Sequence, residues 1–172
     1  MTKYLHTLLL FVALLLMIVT FSACSVFSST EEEEDPIELK LLLNAGDNIN
    51  PSQVSKRNPV VVNLYQLKNI DTFKSSQILD LYEKDIAILA EDLVNKQILG
   101  SVLPQEKRAV TLAIAQGTKY LAVFVQFSNY SQAKAKAWLE VKEIDDIEQI
   151  NISIDSLTVN IEPVIEESFW SW

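Results

Sequence analysis

The stretch INISIDSLTVNI, residues 150–161, gives the clearest structural signal in this sequence. Apolar residues alternate with polar ones in two short runs, at Ile150, Ile152 and Ile154 and then at Leu157, Val159 and Ile161. Alternation with a period of two is typical of a β-strand that buries one face. A two-residue connection at Asp155 and Ser156 would place Ile154 opposite Leu157 and bring the apolar set to one side of a β-hairpin. The residues expected in the core are Ile152, Ile154, Leu157 and Val159.

Shorter runs of Val, Ile, Leu and aromatic residues, bounded by Pro, Gly, Asn or Asp, recur along the chain and predict further strands. They lie at residues 37–43, 60–67, 94–104, 108–114, 119–127 and 134–142. Many short antiparallel strands with one helical insertion indicate a β-sandwich. Residues 37–163 are numerous enough for one domain with a substantial core, so we expect a mainly β, antiparallel sandwich over that range.

Residues 75–94, SSQILDLYEKDIAILAEDLV, depart from the strand pattern. Apolar residues recur there at helical spacing, at Ile78, Tyr82, Ile86, Leu89 and Leu93. Ser75 or Ser76 is available as the N-cap. The stretch predicts a helix or helix pair packed on the sandwich, and the alternative is a helix that binds a partner.

The N-terminal segment combines one lysine, Lys3, with the apolar run LLLFVALLLMIVTF at residues 8–21. This order is typical of a signal peptide, whereas a membrane-spanning helix usually needs about 20 apolar residues. The following FSAC, residues 21–24, resembles a bacterial lipobox, whose cysteine is lipidated and becomes the first residue of the mature protein. We therefore expect a signal peptide at residues 1–23 and a lipid on Cys24. A transmembrane anchor and a free thiol are the alternatives.

Residues 25–36, SVFSSTEEEEDP, include five consecutive acidic side chains. Like charges repel one another and little apolar surface is available, so residues 24–36 are expected to form a solvated tether behind the lipid. A calcium site is the alternative, but the run lacks the glycine and the ligand spacing of a calcium loop. Residues 164–172, which end in SFWSW, are expected to form an exposed or self-packing tail.

The charge of the chain and its scarcity of His and Cys exclude several functional classes. The net charge is −9, and without Lys3, the only Asp, Glu, Lys or Arg among residues 1–23, it is −10. Phosphate recognition needs clustered Lys and Arg, so we expect no nucleic-acid partner. The sole histidine is His6, and the sole cysteine is Cys24, so removal of the signal peptide and lipidation would leave neither free. We therefore expect no metal, no cofactor and no enzymatic activity.

Several motifs follow one another along residues 38–142. They are Asn50-Pro51, the run from Pro59 to Leu67 that ends in Tyr65-Gln66-Leu67, and Leu81-Tyr82 ahead of Asp85, Leu89 and Asp92-Leu93. This pattern resembles the TssJ family, also called SciN or VasD, of outer-membrane lipoproteins of the type VI secretion system. The chain departs from the family at Phe21 in the lipobox, at Ala90, where a glycine is expected, and in its acidic tether.

The resemblance implies a transthyretin-like β-sandwich with a small helical addition, held by lipid at the periplasmic face of the outer membrane. Members of the family bind the periplasmic part of the inner-membrane protein TssM, which together with TssL forms a complex that spans the envelope. The function that the resemblance implies is therefore structural, namely to anchor TssM to the outer membrane.

The stretch NAGDNINPSQVSKRNP, residues 44–59, is long for a connection between strands, and long ordered loops are often functional. The resemblance also implicates this loop in TssM binding. The expected contact residues are Asn48, Ile49, Asn50, Pro51, Ser52, Gln53, Val54, Lys56 and Arg57. Lys56 and Arg57 add positive charge to an acidic protein and would suit an acidic patch on a partner. The alternative is a solvated crossover loop.

Two other functions are compatible with the same strand pattern. A lipid-anchored sandwich could bind a small ligand or inhibit a soluble enzyme, because strand patterns alone do not separate such proteins from scaffolds. A hydrolase that uses two carboxylates would need both acids in one cleft, and the sequence shows no such pairing. No catalytic residue is assigned.

Overall fold

The computed structural model describes residues 37–141 and 147–165. The signal peptide, Cys24, the acidic tether and residues 166–172 of the tail lie outside these ranges. The strands are β1 (Ile37–Ala45), β2 (Val60–Leu67), β3 (Leu93–Val102), β4 (Lys107–Ile114), β5 (Tyr120–Gln126), β6 (Lys136–Glu140), β7 (Ile147–Asp155) and β8 (Thr158–Ile165). The helices are α1 (Asp71–Ser75) and α2 (Ile78–Leu89).

The strands form two four-stranded sheets, with the orders β4-β1-β7-β8 and β3-β2-β5-β6. Both sheets contribute to one buried core, for example Leu41 and Ile150 from the first and Leu64 and Val123 from the second. The prediction of a mainly β, transthyretin-like sandwich with a small helical insertion is confirmed. One pair differs from the expected antiparallel arrangement, because β1 and β7 are parallel. Parallel neighbours need a long crossover, which the intervening strands and helices supply.

The hairpin at residues 150–161 forms, but its register lies two residues from the prediction. Asp155 pairs with Thr158, so the turn residues are Ser156 and Leu157. Ser156 has φ +50°, and two-residue hairpin turns favour a residue that accepts such a conformation. A shift of two residues keeps every side chain on its face, and the buried residues are Ile152, Ile154 and Val159, as predicted. Leu157 is only half-buried in the turn.

The helical insertion is a pair of helices and not one helix over residues 75–94. The N-cap of α2 is Gln77, because Ser75 ends α1 and Ser76 has an extended ψ of 141°. The predicted serine cap is therefore wrong. Residues after Ala90 leave the helix, and Leu93 begins β3. Ala90 is right-handed (φ −38°), so this helix end does not require a glycine.

The buried face of α2 also differs from the prediction. Leu81, Asp85 and Leu89 are buried, whereas Ile86 is 59% exposed. The buried residues recur every four positions, so the helix turns the side of Leu81 to the sandwich and leaves Ile86 on the outer side. The helix is also broken at Lys84, whose φ of −150° is not helical.

Strand β2 is buried on both faces over residues 62–67. One face lies in the core between the sheets, and the helices cover the other. The ring centroid of Tyr65 lies 5.8 Å from that of Phe73 in α1. Tyr82 of α2 packs edge-on against Phe124 of β5 at 5.2 Å between centroids. Burial on both faces explains why this strand has an almost continuous apolar sequence.

A polar cluster joins α2 to the sheet. The Tyr65 hydroxyl donates to Asp85 Oδ2 at 2.6 Å, and Lys96 Nζ of β3 lies 2.5 Å from the same oxygen. Burial raises the pKa of Tyr65, and its hydrogen bond to Asp85 raises it further. Burial alone would raise the pKa of Asp85, but hydrogen bonds from Lys96, Tyr65 and the Ile86 N–H, together with the Lys96 charge, lower it.

Gln66 fixes the crossing of the chain from one sheet to the other between β4 and β5. Its side-chain amide donates to the Ala113 carbonyl at 2.8 Å. Its Oε1 accepts the Ala115 N–H at 2.8 Å and the Thr118 hydroxyl at 2.9 Å. The motif Tyr65-Gln66 thus has a structural role at both positions.

Candidate partner-binding loop

The β1–β2 loop (residues 46–59) lies at one end of the sandwich. Because β1 runs from Ile37 to Ala45, the chain enters the described domain at the opposite end. The Gly46 N–H donates to the Ile154 carbonyl at 2.8 Å, and the Gln105 N–H donates to the Gly46 carbonyl at 3.0 Å. The start of the loop is therefore fixed to the β7–β8 and β3–β4 connections.

Ile49 and Asn50 form the buried base of the loop, with 0% and 2% of their surface exposed. The Asn58 N–H donates to the Ile49 carbonyl at 3.1 Å, and Asn58 Nδ2 donates to the Asn50 carbonyl at 2.8 Å. Ile49 and Asn50 are therefore not on the exposed surface of the loop in this conformation, and their contact with a partner stays a prediction. Ile49 instead belongs to the hydrophobic core.

The Asn50 side chain links the loop to a neighbouring connection. Its Nδ2 donates to the Pro59 carbonyl at 2.8 Å and to Ser128 Oγ at 3.3 Å, while its Oδ1 accepts the Ser128 N–H at 2.8 Å. The Asn50 N–H donates to the Ser156 carbonyl at 2.8 Å. The backbone has φ +50°, a left-handed conformation that asparagine adopts more readily than most residues.

The tip of the loop (residues 51–57) is a compact turn. The Ser52 N–H donates to the Ser55 carbonyl at 2.7 Å, and the Ser55 N–H donates to Ser52 Oγ at 3.1 Å. Val54 is 98% exposed. Of the predicted contact residues, those exposed are Asn48, Ser52, Gln53, Val54, Lys56 and Arg57, and Pro51 is half-buried. The structure thus brings most of the predicted residues to one exposed surface.

Arg57 is paired with Asp47 inside the loop. Its Nη1 lies 2.9 Å from Asp47 Oδ1, and its Nη2 donates to Oδ2 at 3.0 Å. Gln105 Nε2 donates to Asp47 Oδ1 at 2.8 Å. Asp47 therefore balances the charge of the Arg57 guanidinium within the loop. Lys56 forms no ion pair with any residue in 37–141 or 147–165, so it carries the positive charge of the tip that no carboxylate of these residues balances.

Unusual backbone conformations are concentrated at this end of the sandwich. Within the described ranges, the non-glycine residues with positive φ are Asn50 (50°), Gln105 (65°) and Ser156 (50°). Each lies in a different connection, and hydrogen bonds tie Gln105 and Ser156 to the β1–β2 loop. Such conformations cost free energy and persist where the surrounding structure holds them, often at binding sites.

A groove of about 320 Å³ lies beside the loop. Its lining includes Asn50, Pro59, Val61, Tyr82, Ser101 and Ser128. The Tyr82 hydroxyl at its side donates to the Phe127 carbonyl at 2.8 Å. Sites for small ligands are usually enclosed and mostly apolar, whereas this groove is open and partly polar. It therefore gives no particular support to a ligand-binding function.

Buried and loop carboxylates of the described residues form ion pairs within the fold, as Asp85 does with Lys96 and Asp47 with Arg57. In residues 37–141 and 147–165, no three or more His, Cys, Asp or Glu side chains are placed to hold a metal ion. Asp85 and Asp47 each face a cation, which is not the arrangement of paired carboxylates that glycoside hydrolysis uses. No helix in these ranges has the length and hydropathy needed to cross a membrane.

Sequence reasoning missed several residues that shape the loop. Asp47 and Asn58, next to Gly46 and Pro59, are of the type that commonly forms turns, and this local signal could have identified them. Ser128 gave no such signal, because it lies 78 residues from its partner Asn50. Its role depends on the tertiary fold.

A comparison with protein families identifies the sequence family. The model T6SS-SciN, described as type VI secretion lipoprotein, VasD, EvfM and TssJ, matches residues 37–161. No curated protein sequence matches the chain.

Solved structures share the fold. The type VI secretion lipoprotein TssJ1 from Pseudomonas aeruginosa has a TM-score of 0.69 and 22% identity over 75% of this chain and 97% of that one. A chain of a type VI membrane complex has a TM-score of 0.65 and 26% identity over 76% and 100%. A chain from a structure of the TssM C-terminal domain from EAEC has a TM-score of 0.61 and 23% identity. The match covers 74% of this chain and 98% of that one. Since the family model covers well over half of the sequence, the chain belongs to the TssJ (SciN, VasD) family of type VI secretion lipoproteins.

Proposed function

We propose that this protein anchors the periplasmic domain of TssM to the outer membrane within the type VI secretion membrane complex. In this proposal Cys24 carries the lipid, the acidic residues before Ile37 form a tether, and the β1–β2 loop contacts TssM. TssL belongs to the same complex. The protein is held at the periplasmic face of the outer membrane and acts as a structural component with no catalytic role.

Family membership supports this proposal, because the matching family consists of type VI secretion lipoproteins. The similar structures include a chain of a type VI membrane complex and a chain from a structure of the TssM C-terminal domain. Both chains are similar to this protein in fold, and the chain of the membrane complex is also slightly more similar in sequence.

The observation that carries the proposal is the polarity of β1. The tether precedes Ile37 in the sequence, whereas the loop follows Ala45, at the other end of the same nine-residue strand. At the rise of a β-strand these ends are about 26 Å apart. A protein that joins a membrane to a partner needs its two attachment sites on different sides, and the direction of β1 supports such a role.

The tip of the loop offers a direct test. Gln53, Val54 and Lys56 are exposed and make no hydrogen bond or ion pair with the described residues. Replacing all three by Ser should weaken binding of the TssM periplasmic domain at least about tenfold in a calorimetric titration, because loss of contact residues often costs more than 1 kcal/mol. The unfolding temperature should stay unchanged.

A matched control replaces Gln77, Leu79 and Lys84 by Ser on the exposed side of the helices. Like the tip variant, it replaces one glutamine, one aliphatic residue and one lysine, and it should leave the affinity unaltered. Loss of binding in this variant, with full binding in the tip variant, would move the interface to the helices. Replacing all of residues 48–54 by a Gly-Ser linker would be a less specific test, because it would also remove the buried side chains of Ile49 and Asn50.

A further inference from the structure

We propose that Asn50 is a positioning residue for partner binding: it holds the tip of the β1–β2 loop in its binding conformation without itself touching the partner. This inference rests on the proposed function, and it assigns to a buried side chain a control over affinity. Asn50 is buried at the base of the loop, bonds to the segments on both sides of it, and lies below an exposed tip.

Asn50 closes the loop at its base. Its Nδ2 donates to the carbonyl of Pro59, the last residue of the loop, at 2.8 Å. The Asn50 carbonyl accepts a second bond from Asn58 Nδ2, also at 2.8 Å. Asn50 therefore makes two of the hydrogen bonds that join the chain segments flanking residues 51–57, beside the bond from the Asn58 N–H to the Ile49 carbonyl.

Asn50 also fixes the closed loop to the rest of that end of the sandwich. Its Oδ1 accepts the Ser128 N–H in the β5–β6 connection, and its own N–H donates to the Ser156 carbonyl in the β7–β8 turn, both at 2.8 Å. With 2% of its surface exposed, Asn50 is out of reach of a partner that docks on the tip. Its effect on binding must therefore act through the loop.

The other restraints on the tip are the exposed ion pair of Arg57 with Asp47 and the hydrogen bonds of its serines. Ser52 and Ser55 bond to each other, and Ser55 Oγ donates to the Arg57 carbonyl at 2.8 Å. These bonds are exposed, so water competes for them. If the base opens, the tip spends less time in the binding conformation, and the apparent affinity falls by the fraction of molecules that remain competent.

The chemistry of the site favours asparagine over its close analogues. Asp can adopt the left-handed conformation, but it would set a carboxylate oxygen against the Pro59 carbonyl in place of the donating Nδ2. Gly also adopts positive φ without strain but has no side-chain amide to close the loop. Both substitutions keep the left-handed backbone conformation of residue 50 accessible and remove the hydrogen bond that its side chain donates. Their effect on binding therefore reports on that hydrogen bond.

The test is a calorimetric titration of the TssM periplasmic domain with the mature chain carrying Cys24→Ser, compared with Asn50→Gly and Asn50→Asp in the same background. If the competent conformation falls to a tenth of the population, Asn50→Gly weakens binding about tenfold. Should Asn50→Asp fail to fold, because it buries a charge, Asn50→Gly carries the test alone. Ile150→Val, a truncation of a buried residue in β7, is the control for lowered stability and should keep full affinity.

A double-mutant cycle separates positioning from direct contact with the partner. Val54→Ser should weaken binding by the same factor in the Asn50→Gly background as in the parent, because Asn50→Gly lowers the fraction of competent molecules and not the contacts made once bound. Unequal factors, or an unchanged affinity of Asn50→Gly, would overturn the positioning role while leaving the proposed function intact. No binding by the parent chain would overturn both.

Discussion

At Asp85, the ionisation of one residue contributes to the attachment of α2 to the sheet. The carboxylate accepts the Tyr65 hydroxyl and lies beside Lys96, and these partners hold its pKa below the ordinary value despite burial. A folded-state pKa below the unfolded value of about 3.9 means that the ionised group stabilises the fold. This stabilisation is fully present above the unfolded pKa and is lost as the pH falls through the folded pKa.

We therefore expect Asp85→Asn to lower the free energy of unfolding by about 2 kcal/mol at pH 7, since a hydrogen bond to a charged group is lost. The difference in unfolding free energy between the parent and Asp85→Asn should shrink as the pH falls below 4. Asp85 of the parent then becomes protonated, and the parent also loses the stabilisation by the charged carboxylate. Urea unfolding at pH 7 and at pH 2.5 measures both values.

The exposed pair of Asp80 and Lys84 provides a control for this prediction. Asp80→Asn should cost less than about 0.5 kcal/mol, as surface ion pairs usually do. A deficit for Asp85→Asn that is equal at both pH values would show that its packing, and not its charge, stabilises the fold.

At the scale of elements, the register of the β7–β8 hairpin can be tested by crosslinking. Ser153 and Asn160 are directly opposite one another. Cysteines at these positions, in a Cys24→Ser chain that has no other thiol, should form a disulfide on mild oxidation, because opposite residues of paired strands lie within bonding reach. Loss of free thiol in the folded monomer is the measurement.

The comparison pair places cysteines at Ser153 and Thr158, which the register predicted from the sequence would have put opposite each other. In the structure Thr158 pairs with Asp155, so this pair should remain reduced under the same conditions. Faster oxidation of the comparison pair would contradict the observed register.

The strand faces of this hairpin were predictable because alternation is a local property, and Ile152 and Val159 are buried as expected. The register of the hairpin was not predictable, because it depends on which residue of the turn adopts a positive φ. In the structure that residue is Ser156. In the β1–β2 loop, polar residues surround both Ile49 and Val54, so the sequence alone does not separate the buried Ile49 from the exposed Val54. The burial of Asn50 was not predictable either. That burial depends on Ser128, which only the tertiary fold brings near.

At the scale of the whole molecule, attachment to the membrane depends in our proposal on one residue outside the described ranges. Cys24→Ser should leave the domain folded, because the chain has no second cysteine and thus no disulfide to lose. The protein should then fractionate with the periplasm and not with the outer membrane. Circular dichroism of the released protein checks the fold.

This fractionation is best done in cells that lack TssM, so that the partner cannot retain the protein at the membrane. Signal-peptide processing is followed by the size of the mature chain. Continued fractionation of Cys24→Ser with the outer membrane under these conditions would mean that the lipid is not the anchor.

The position of β1 between tether and loop has a mechanical consequence for this proposed anchor. A pull exerted between the lipid and TssM would enter the domain at Ile37, run along the backbone of β1 and leave through the loop beyond Ala45. Covalent bonds would carry this tension, while β4 and β7 support the strand on both sides. The remaining strands lie beside the path of the load, so the sandwich can bear force without unfolding. The first non-covalent contacts under tension would be those at the base of the loop, around Asn50.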